Sequence, residues 1–420
     1  MSAHALRLRG LSLVLGVCGS IGFHAELGLS LERIALGQEP AAKSAVSSAP
    51  PVLLSTHAGQ LAVSGYAELF YQWNANRPPS GITNYRGFDT RHNSFTVSNA
   101  VLSARYDHSG LSARLAFQVG HTPNTYYLAE PESDASQSPS AVGSSGASTW
   151  RFVQQALVGY TIPVGRGLLI EGGVFLSPIG LETLAVKDNW NFSRSHLFFQ
   201  LPFYHTGLRA EQRLFKAWKL TLGVVNGWNS VVDGNDEKSV YVQTTYDKSG
   251  SVSASFLYFT GIERAPAQPS RDWRHLFDLW MTVQPSSRFE FALHGNAGVE
   301  PVADDKAFWL AGAAYVCVHV LPVFHLAARG DVFWERKGVL PSGEPLPIFF
   351  APSDMSWLSS ATATVSMDVL PGLLLRLEYR HDHSDGAVFF AKNTASTPMA
   401  PPEITQTSQN TLTAGAVASF

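Results

Sequence analysis

The sequence predicts an all-β protein, a single antiparallel up-and-down transmembrane β-barrel of about 16 strands. Three observations predict it: apolar and polar residues alternate along short segments, connections alternate between short and long, and the amino terminus has the pattern of an export signal. Only 15% of the 420 residues are charged, yet no run approaches the roughly 20 apolar residues that a spanning helix needs. These features exclude a disordered chain and a helical membrane protein.

The amino terminus indicates export. Arg7 and Arg9 precede an apolar stretch at 11–23, which matches the charged and apolar regions of a secretory signal peptide. At about 13 residues this stretch is too short to span a bilayer. We therefore expect a signal peptide at residues 1–25, a flexible periplasmic lead-in at 26–60 and the transmembrane barrel at 61–420.

Cysteine content and charge narrow the class further. Cys18 would leave with the signal peptide, so the mature chain would keep Cys317 alone and form no internal disulfide. An exported protein without disulfides must be stabilised by other means. The balance of 30 Lys and Arg against 33 Asp and Glu gives no indication of a nucleic-acid partner.

A period of two is the dominant signal beyond residue 60. In the segment 110–120, Leu115 and Phe117 lie on one face of a strand, whereas Arg114 and Gln118 lie on the other. Similar segments recur along the chain, although those near residues 100, 209 and 362 alternate poorly. The predicted strands are centred near residues 66, 100, 115, 156, 171, 209, 222, 243, 255, 278, 292, 313, 327, 362, 377 and 415.

The connections between these segments alternate in length. Short turns such as 107–110 and 247–250 share the pattern Asp-X-Ser-Gly and alternate with longer links. In an up-and-down meander every second connection lies at the same end, so the long links all fall on one side, which is typical of outer-membrane barrels and not of Greek-key sandwiches. The predicted long links are 73–94, 120–150, 177–203, 227–237, 260–273, 297–306, 335–356 and 382–409.

The bilayer dictates which face of the sheet is polar. A Lys or Arg that faces lipid at mid-bilayer costs roughly 2–4 kcal/mol, so charged residues should face inward and apolar residues outward. The sheet must close because lipid offers no partner to an open edge. Aromatic residues near strand ends fit interfacial girdles better than a soluble core; they are Tyr71, Trp73, Tyr106, Tyr160, Trp218, Tyr258, Trp334 and Tyr379.

A barrel of about 16 strands leaves an aqueous interior. The alternation predicts charged side chains of both signs along it, which favours weak ion selectivity. For any one of these residues, the alternative is a structural ion pair across the wall. The predicted pore-lining residues are Glu68, Arg105, Arg114, Glu171, Arg209, Glu211, Asp278, Glu290, Arg329, Asp331, Arg376 and Glu378.

Several segments between residues 60 and 260 resemble one known family, the OmpL-like outer-membrane β-barrel porins. They are Gly65-Tyr-Ala-Glu-Leu-Phe-Tyr-Gln-Trp73, Phe88-Asp-Thr-Arg-His-Asn-Ser-Phe95, Pro178-Ile-Gly180, 187–195, 202–207 and 222–229. The resemblance implies a porin-like channel but supplies no substrate. Phe420 is similar to the final aromatic residue of many outer-membrane barrels, which implies recognition by the assembly machinery.

In porins of similar size, the loop that corresponds to 177–203 often folds inward. Such a path would place Lys187, Asp188, Arg194 and His196 at a constriction. The loop is also apolar enough to cap the rim instead, and the sequence leaves both arrangements open.

The predicted function is a porin in the outer membrane of a Gram-negative bacterium, which passes small hydrophilic solutes or ions by passive diffusion. The expected partners are outer-membrane lipid, these solutes, the assembly machinery and further copies in a homotrimer; we expect no cofactor and no nucleic acid. A non-conducting barrel that presents loops for adhesion or assembly is the alternative.

We expect no enzyme activity, because the sequence lacks a Gly-X-Ser-X-Gly elbow, a phosphate loop and a His-Glu-X-X-His motif. His381-Asp-His383 could hold a metal, but alternate residues at a strand end more often face solvent.

Overall fold

The structure is a computed structural model that describes residues 50–56, 58–131, 145–248, 250–264, 271–349, 355–391 and 404–420. The predicted signal peptide and residues 26–49 of the predicted lead-in lie outside these residues. Val52–Thr56, also within the predicted lead-in, forms a strand antiparallel to the first residues of the barrel's first strand.

Sixteen antiparallel strands form a closed barrel, which confirms the predicted fold class. Each strand pairs with its neighbours in the chain, and the last strand pairs with the first along Tyr66–Asn74. Every predicted centre lies within a strand, including the three poorly alternating ones. The strands are β1 Gly59–Asn74, β2 Ser94–His108, β3 Leu111–Gly120, β4 Val153–Ile162, β5 Leu168–Leu176, β6 Tyr204–Arg213, β7 Trp218–Val225, β8 Ser239–Lys248, β9 Val252–Ile262, β10 Trp273–Val283, β11 Phe289–Val302, β12 Asp305–Leu321, β13 Phe324–Arg336, β14 Trp357–Leu370, β15 Leu373–Ser384 and β16 Ser408–Ser419.

The outer face of the wall is apolar and the inner face is polar. On β10, Leu279 is 57% exposed, whereas the adjacent Asp278 is 1% exposed. On β11, Leu293 is exposed and His294 is buried. This polarity is the reverse of a soluble protein's and suits a wall surrounded by lipid.

Short turns join the strands at one end of the barrel, here called the turn end, and the longer connections lie at the opposite loop end. At the turn between β2 and β3, Ser109 and Gly110 both have positive φ, at 48° and 86°. Two left-handed residues match the right-handed twist of the flanking strands, which explains why glycine is needed there.

One predicted long link is wrong. The connection at 297–306 is a two-residue turn between Val302 and Asp305, with Ala303 at a φ of 52°. The other residues of this predicted link belong to strands β11 and β12. Backbone pairing between the two strands continues through Glu300 with Ala307 and Val302 with Asp305.

Within the described residues, the helices lie in the connections at the loop end, and all of them are short. These are the α-helices Thr122–Tyr126, Ala147–Trp150 and His196–Phe199 and the 3₁₀ helix Val186–Asp188. Two small hairpins pair Gly338–Val339 with Pro345–Leu346 and Phe389–Phe390 with Ile404–Gln406. Across the described parts of the chain, no helix has the length and apolar character to cross a membrane.

Leu279→Arg should impair folding into lipid vesicles, because it places a cation on the lipid-facing side of β10. The expected cost is about 2–4 kcal/mol, measured by urea titration of folding. Thr282→Arg, on the inner face of the same strand, is the matched control and should cost far less. Equal losses in the two variants would contradict the assigned polarity.

Candidate functional site

The connection between β5 and β6, residues 177–203, lies inside the barrel and is here called the inner loop. The backbone N–H of Gly180 donates to Asp278 of β10 at 3.1 Å, and that of Val186 donates to Glu68 of β1 at 2.6 Å. The ring of Trp190 packs against Tyr315 of β12 with centroids 6.4 Å apart. The loop leaves β5 and contacts these distant strands, so it crosses the interior instead of capping the rim.

Wall carboxylates accept the backbone N–H groups of the inner loop. Glu378 of β15 accepts from Phe192 at 2.6 Å and from Ser193 at 3.0 Å. Asp331 of β13 accepts from the N–H of His196 at 2.9 Å. An irregular loop cannot satisfy these buried donors itself, so the wall must supply the acceptors.

Wall guanidinium groups bind the backbone carbonyls of the same loop. Arg376 donates to the carbonyls of Val186 at 2.8 Å and Asn191 at 3.0 Å, and also to that of Asn189. Arg329 donates to the Ser193 carbonyl at 2.6 Å. Together the charged wall residues that hold the inner loop form what we call the wall clamp: Glu68, Asp278, Arg329, Asp331, Arg376, Glu378 and Arg380.

Six clamp residues belong to the predicted pore-lining set, and their predicted exposure to an open lumen needs correction. They lie on the inner face, but the inner loop covers them, and each is at most 6% exposed. They are Glu68, Asp278, Arg329, Asp331, Arg376 and Glu378.

The other predicted pore-lining residues lie closer to the turn end, where most of their side chains keep partial exposure. Arg209 pairs with Glu171 at 2.7 Å, and Glu211 pairs with Lys219 at 2.9 Å. Arg105 pairs with Asp107 at 2.8 Å. These pairs join residues along or between neighbouring strands. The two further members of the set are Arg114, half-buried on β3, and Glu290, buried on β11.

The predicted constriction residues divide into two pairs. Lys187 and Asp188 keep partial exposure and form an ion pair at 2.8 Å. Arg194 is buried and donates to carbonyls of its own loop, Phe192 at 3.0 Å and Leu184. The prediction that Arg194 and His196 face a constriction therefore needs correction: Arg194 holds the loop in its fold.

His196 is also buried. Its Nε2 atom lies 3.0 Å from an oxygen of Asp382 on β15. Arg380 and Asp382 were missed by the sequence analysis, although they continue the period-two row of Arg376 and Glu378. Arg380 lies within the predicted strand but is absent from the predicted pore-lining set, whereas Asp382 falls in the predicted link 382–409.

Other connections fill the loop end above the inner loop. Arg86 bonds to Asp89 and to Asp382 at 3.1 Å. The carboxylate of Glu130 accepts the N–H of Val231 at 2.9 Å, and burial raises the pKa of this carboxyl. The wall and loops together therefore narrow the interior at its middle and its loop end.

Comparison with known proteins identifies the family. The family described as putative beta-barrel porin-2, OmpL-like, matches residues 60–420. The chain belongs to this family. The match covers the whole described barrel, including the strands beyond residue 260 whose sequence resembles the family only in general style.

Solved structures share the fold of this OmpL-like barrel at low sequence identity. The outer membrane channel DcaP of Acinetobacter baumannii is 10% identical, with a TM-score of 0.55 over 87% of this chain and 99% of that one. The anion-selective porin from Comamonas acidovorans is 11% identical, with a TM-score of 0.53 over 86% and 99%. OmpT of Vibrio cholerae is 9% identical, with a TM-score of 0.52 over 88% and 100%. The sequence matches no curated protein.

Proposed function

We propose that this chain is an outer-membrane porin that passes small hydrophilic solutes or ions by passive diffusion. The observation that best supports this proposal is a closed barrel with an apolar outer face, a charged inner face and one loop held across its interior. In this proposal the inner loop is the constriction and the turn end faces the periplasm.

The arrangement of charges supports a narrow and weakly selective passage. The wall clamp and the inner loop occupy the middle of the barrel, so only small solutes would pass. At the turn end, partly exposed ion pairs such as Glu171 with Arg209 present both signs to the interior. Mixed charge gives little preference for cations or anions.

Planar-bilayer recording and liposome swelling test this proposal. We expect small, stable single-channel currents with weak ion preference, and swelling rates that fall steeply as sugar size increases. Permeability no greater than that of empty vesicles would contradict it.

A non-conducting barrel that presents loops for adhesion or assembly is the second candidate. It is favoured by the burial of the clamp, since Glu68 and Arg380 are 0% exposed. If correctly folded protein gives neither single-channel currents nor liposome swelling, the result would support this candidate.

Catalysis is not part of the proposed function. The detergent-solubilised protein should not hydrolyse a chromogenic ester faster than a detergent blank. Hydrolysis above that blank would contradict this expectation.

We propose that the assembly machinery recognises the carboxyl-terminal Phe420. Its backbone N–H donates to the Gly65 carbonyl at 3.0 Å, and the Gly65 N–H donates back at 3.0 Å. Phe420 is 47% exposed, so it is available to a partner at the turn end.

Deleting Phe420 should reduce the amount of folded barrel in cells while leaving spontaneous folding into lipid vesicles nearly unchanged. Recognition would be lost, whereas the sixteen-stranded ladder keeps almost all of its bonds. Heat-dependent electrophoretic mobility of membrane fractions and of refolded protein measures both. If the deletion reduces folding in cells and in lipid vesicles equally, Phe420 contributes to the stability of the barrel instead of to recognition.

We also propose export by removal of residues 1–25 and assembly as a homotrimer in the outer-membrane lipid. Amino-terminal sequencing of the membrane-inserted protein should begin near residue 26. One structural neighbour, OmpT of Vibrio cholerae, is described in a trimer form. Native mass spectrometry in detergent should give three copies; a monomer alone would contradict the trimer.

A further inference from the structure

The strand Val52–Thr56, here called the seam strand, pairs with β1 where the barrel closes. Val52 is opposite Val63, and the antiparallel pairing continues over all five residues of the seam strand. On its other side, the same stretch of β1 pairs with β2. Residues 59–63 of β1 are therefore held between two strands.

The seam strand continues the line of β16 along one edge of β1. β16 pairs with this edge along Tyr66–Asn74, and Phe420 then exchanges two backbone hydrogen bonds with Gly65, each of 3.0 Å. The seam strand begins two residues further along β1, at Val63. Without the seam strand, residues 59–63 of β1 would present an open edge of unpaired backbone groups.

Two apolar rows cross the seam strand, β1 and β2 on the outer face of the wall. In register order they are Val52, Val63 and Ala104, and then Leu54, Leu61 and Tyr106. The side follows from alternation along β1: Glu68 faces inward and is even-numbered, so the odd-numbered Leu61 and Val63 face outward.

The rows on the inner face are more polar. In register order they are Leu53, Ala62 and Arg105, and then Ser55, Gln60 and Asp107. Arg105 and Asp107 form an ion pair on this face. Leu53 is the exception and lies beside Ala62. The seam strand therefore extends the wall with the polarity that the wall already has.

The outer side chains of the seam strand are uncovered. Val52 is 53% exposed and Leu54 is 54% exposed. Phe420 lies on the same face, and its ring packs on Gly65, where a Cβ atom would come within 2.9 Å of a ring carbon. These three apolar side chains continue the lipid-facing surface of the barrel toward the turn end.

We propose that the seam strand binds lipid at the periplasmic boundary of the outer membrane, with Val52, Leu54 and Phe420 against the acyl chains next to the headgroups. The proposal rests on the proposed placement of the barrel in outer-membrane lipid with its turn end toward the periplasm. Lipid is the partner because this surface is continuous with the lipid-facing wall and equally apolar. Residues 52–56 are then part of the membrane-embedded barrel instead of a flexible lead-in.

The far edge of the seam strand determines its depth. Among the described residues, no strand pairs with that edge, so its backbone groups need water. The hydrocarbon core offers no water, whereas the headgroup boundary does. Tyr106, whose hydroxyl donates to the Ala58 carbonyl, fits an interfacial girdle at the same level. The strand therefore lies at the boundary and not at the bilayer centre.

Nitroxide scanning of the full chain in lipid vesicles tests the proposal. Four single-cysteine variants are spin-labelled in a Cys18→Ser, Cys317→Ser background: Val52→Cys, Leu53→Cys, Leu54→Cys and Ser55→Cys. Collision of the label with oxygen reports lipid, and collision with a water-soluble nickel complex reports water. The ratio of oxygen to nickel collisions should be higher at positions 52 and 54 than at 53 and 55 by about threefold or more.

Two further labels calibrate the scan. Leu279→Cys lies on the outer face of β10, and Ser286→Cys lies at an exposed turn. The ratios at positions 52 and 54 should fall between those of these two labels. Each outer position is a separate variant, so failure of one to fold leaves the other as a test.

Equal ratios at the four seam positions would overturn the proposal. So would low collision with both reagents at positions 52 and 54, because a protein partner would then cover them. A Leu279 label that reports water would instead contradict the membrane placement of the whole barrel. The scan measures no current, so its outcome is also separate from that of the porin proposal.

Discussion

Replacing residues 178–202 by a short Gly-Ser link between β5 and β6 should raise the single-channel conductance severalfold. A barrel of this size encloses a wide aqueous interior unless something fills it. The inner loop crosses that interior and contacts wall residues as distant as Glu68 of β1 and Asp278 of β10. Removing it also exposes the charged clamp to water, which should change the ion preference.

Shortening the exposed hairpin tip at 341–344 provides the control for this deletion, because these residues lie at the surface. The control should leave conductance unchanged. A loop-deleted barrel that folds but keeps the original conductance would show that other connections set the limit.

Glu378→Ala should detach the inner loop while leaving the barrel intact. The substitution removes the acceptor of two buried backbone N–H groups, those of Phe192 and Ser193, and of the Thr364 hydroxyl. Each buried donor left without a partner costs about 1–3 kcal/mol. We expect higher and noisier currents together with new proteolytic cleavage between 177 and 203.

Glu211→Ala is the matched control for Glu378→Ala, since Glu211 is also an inner-face carboxylate but pairs with Lys219 near the turn end. It should leave currents and cleavage at the level of the unmodified protein. Unaltered behaviour of the Glu378 variant as well would mean that the remaining clamp residues hold the loop without it.

The strands could be predicted from sequence because lipid imposes a simple rule on each residue. The alternation of Leu115 and Phe117 with Arg114 and Gln118 follows from a wall with one lipid-facing and one interior face. The alternation of connection lengths then determines the end at which each loop lies. Both patterns can be seen in the sequence itself, so they can be recognised without any knowledge of tertiary contacts.

The path of the inner loop could not be predicted from sequence because it depends on contacts between distant residues. Arg376 is nearly 190 positions from the carbonyls it binds, and alternation identifies it only as a residue of the inner face. The sequence predicts that Arg194 faces the constriction, yet its hydrogen-bond partners are backbone carbonyls of its own loop. A charged residue on the inner face can border water or hold a loop, and periodicity does not distinguish these roles.

Cross-linking across the interior tests the central claim of an inner loop held against the wall. The side-chain amide of Asn191 donates to the Thr364 hydroxyl at 2.7 Å. Asn191→Cys with Thr364→Cys, in a Cys317→Ser background, should form an intrachain cross-link in native membranes with a short bis-thiol reagent. Asn191→Cys with Thr245→Cys on β8 should not. Absence of the first cross-link in folded protein, with both cysteines open to solvent labelling, would contradict the account.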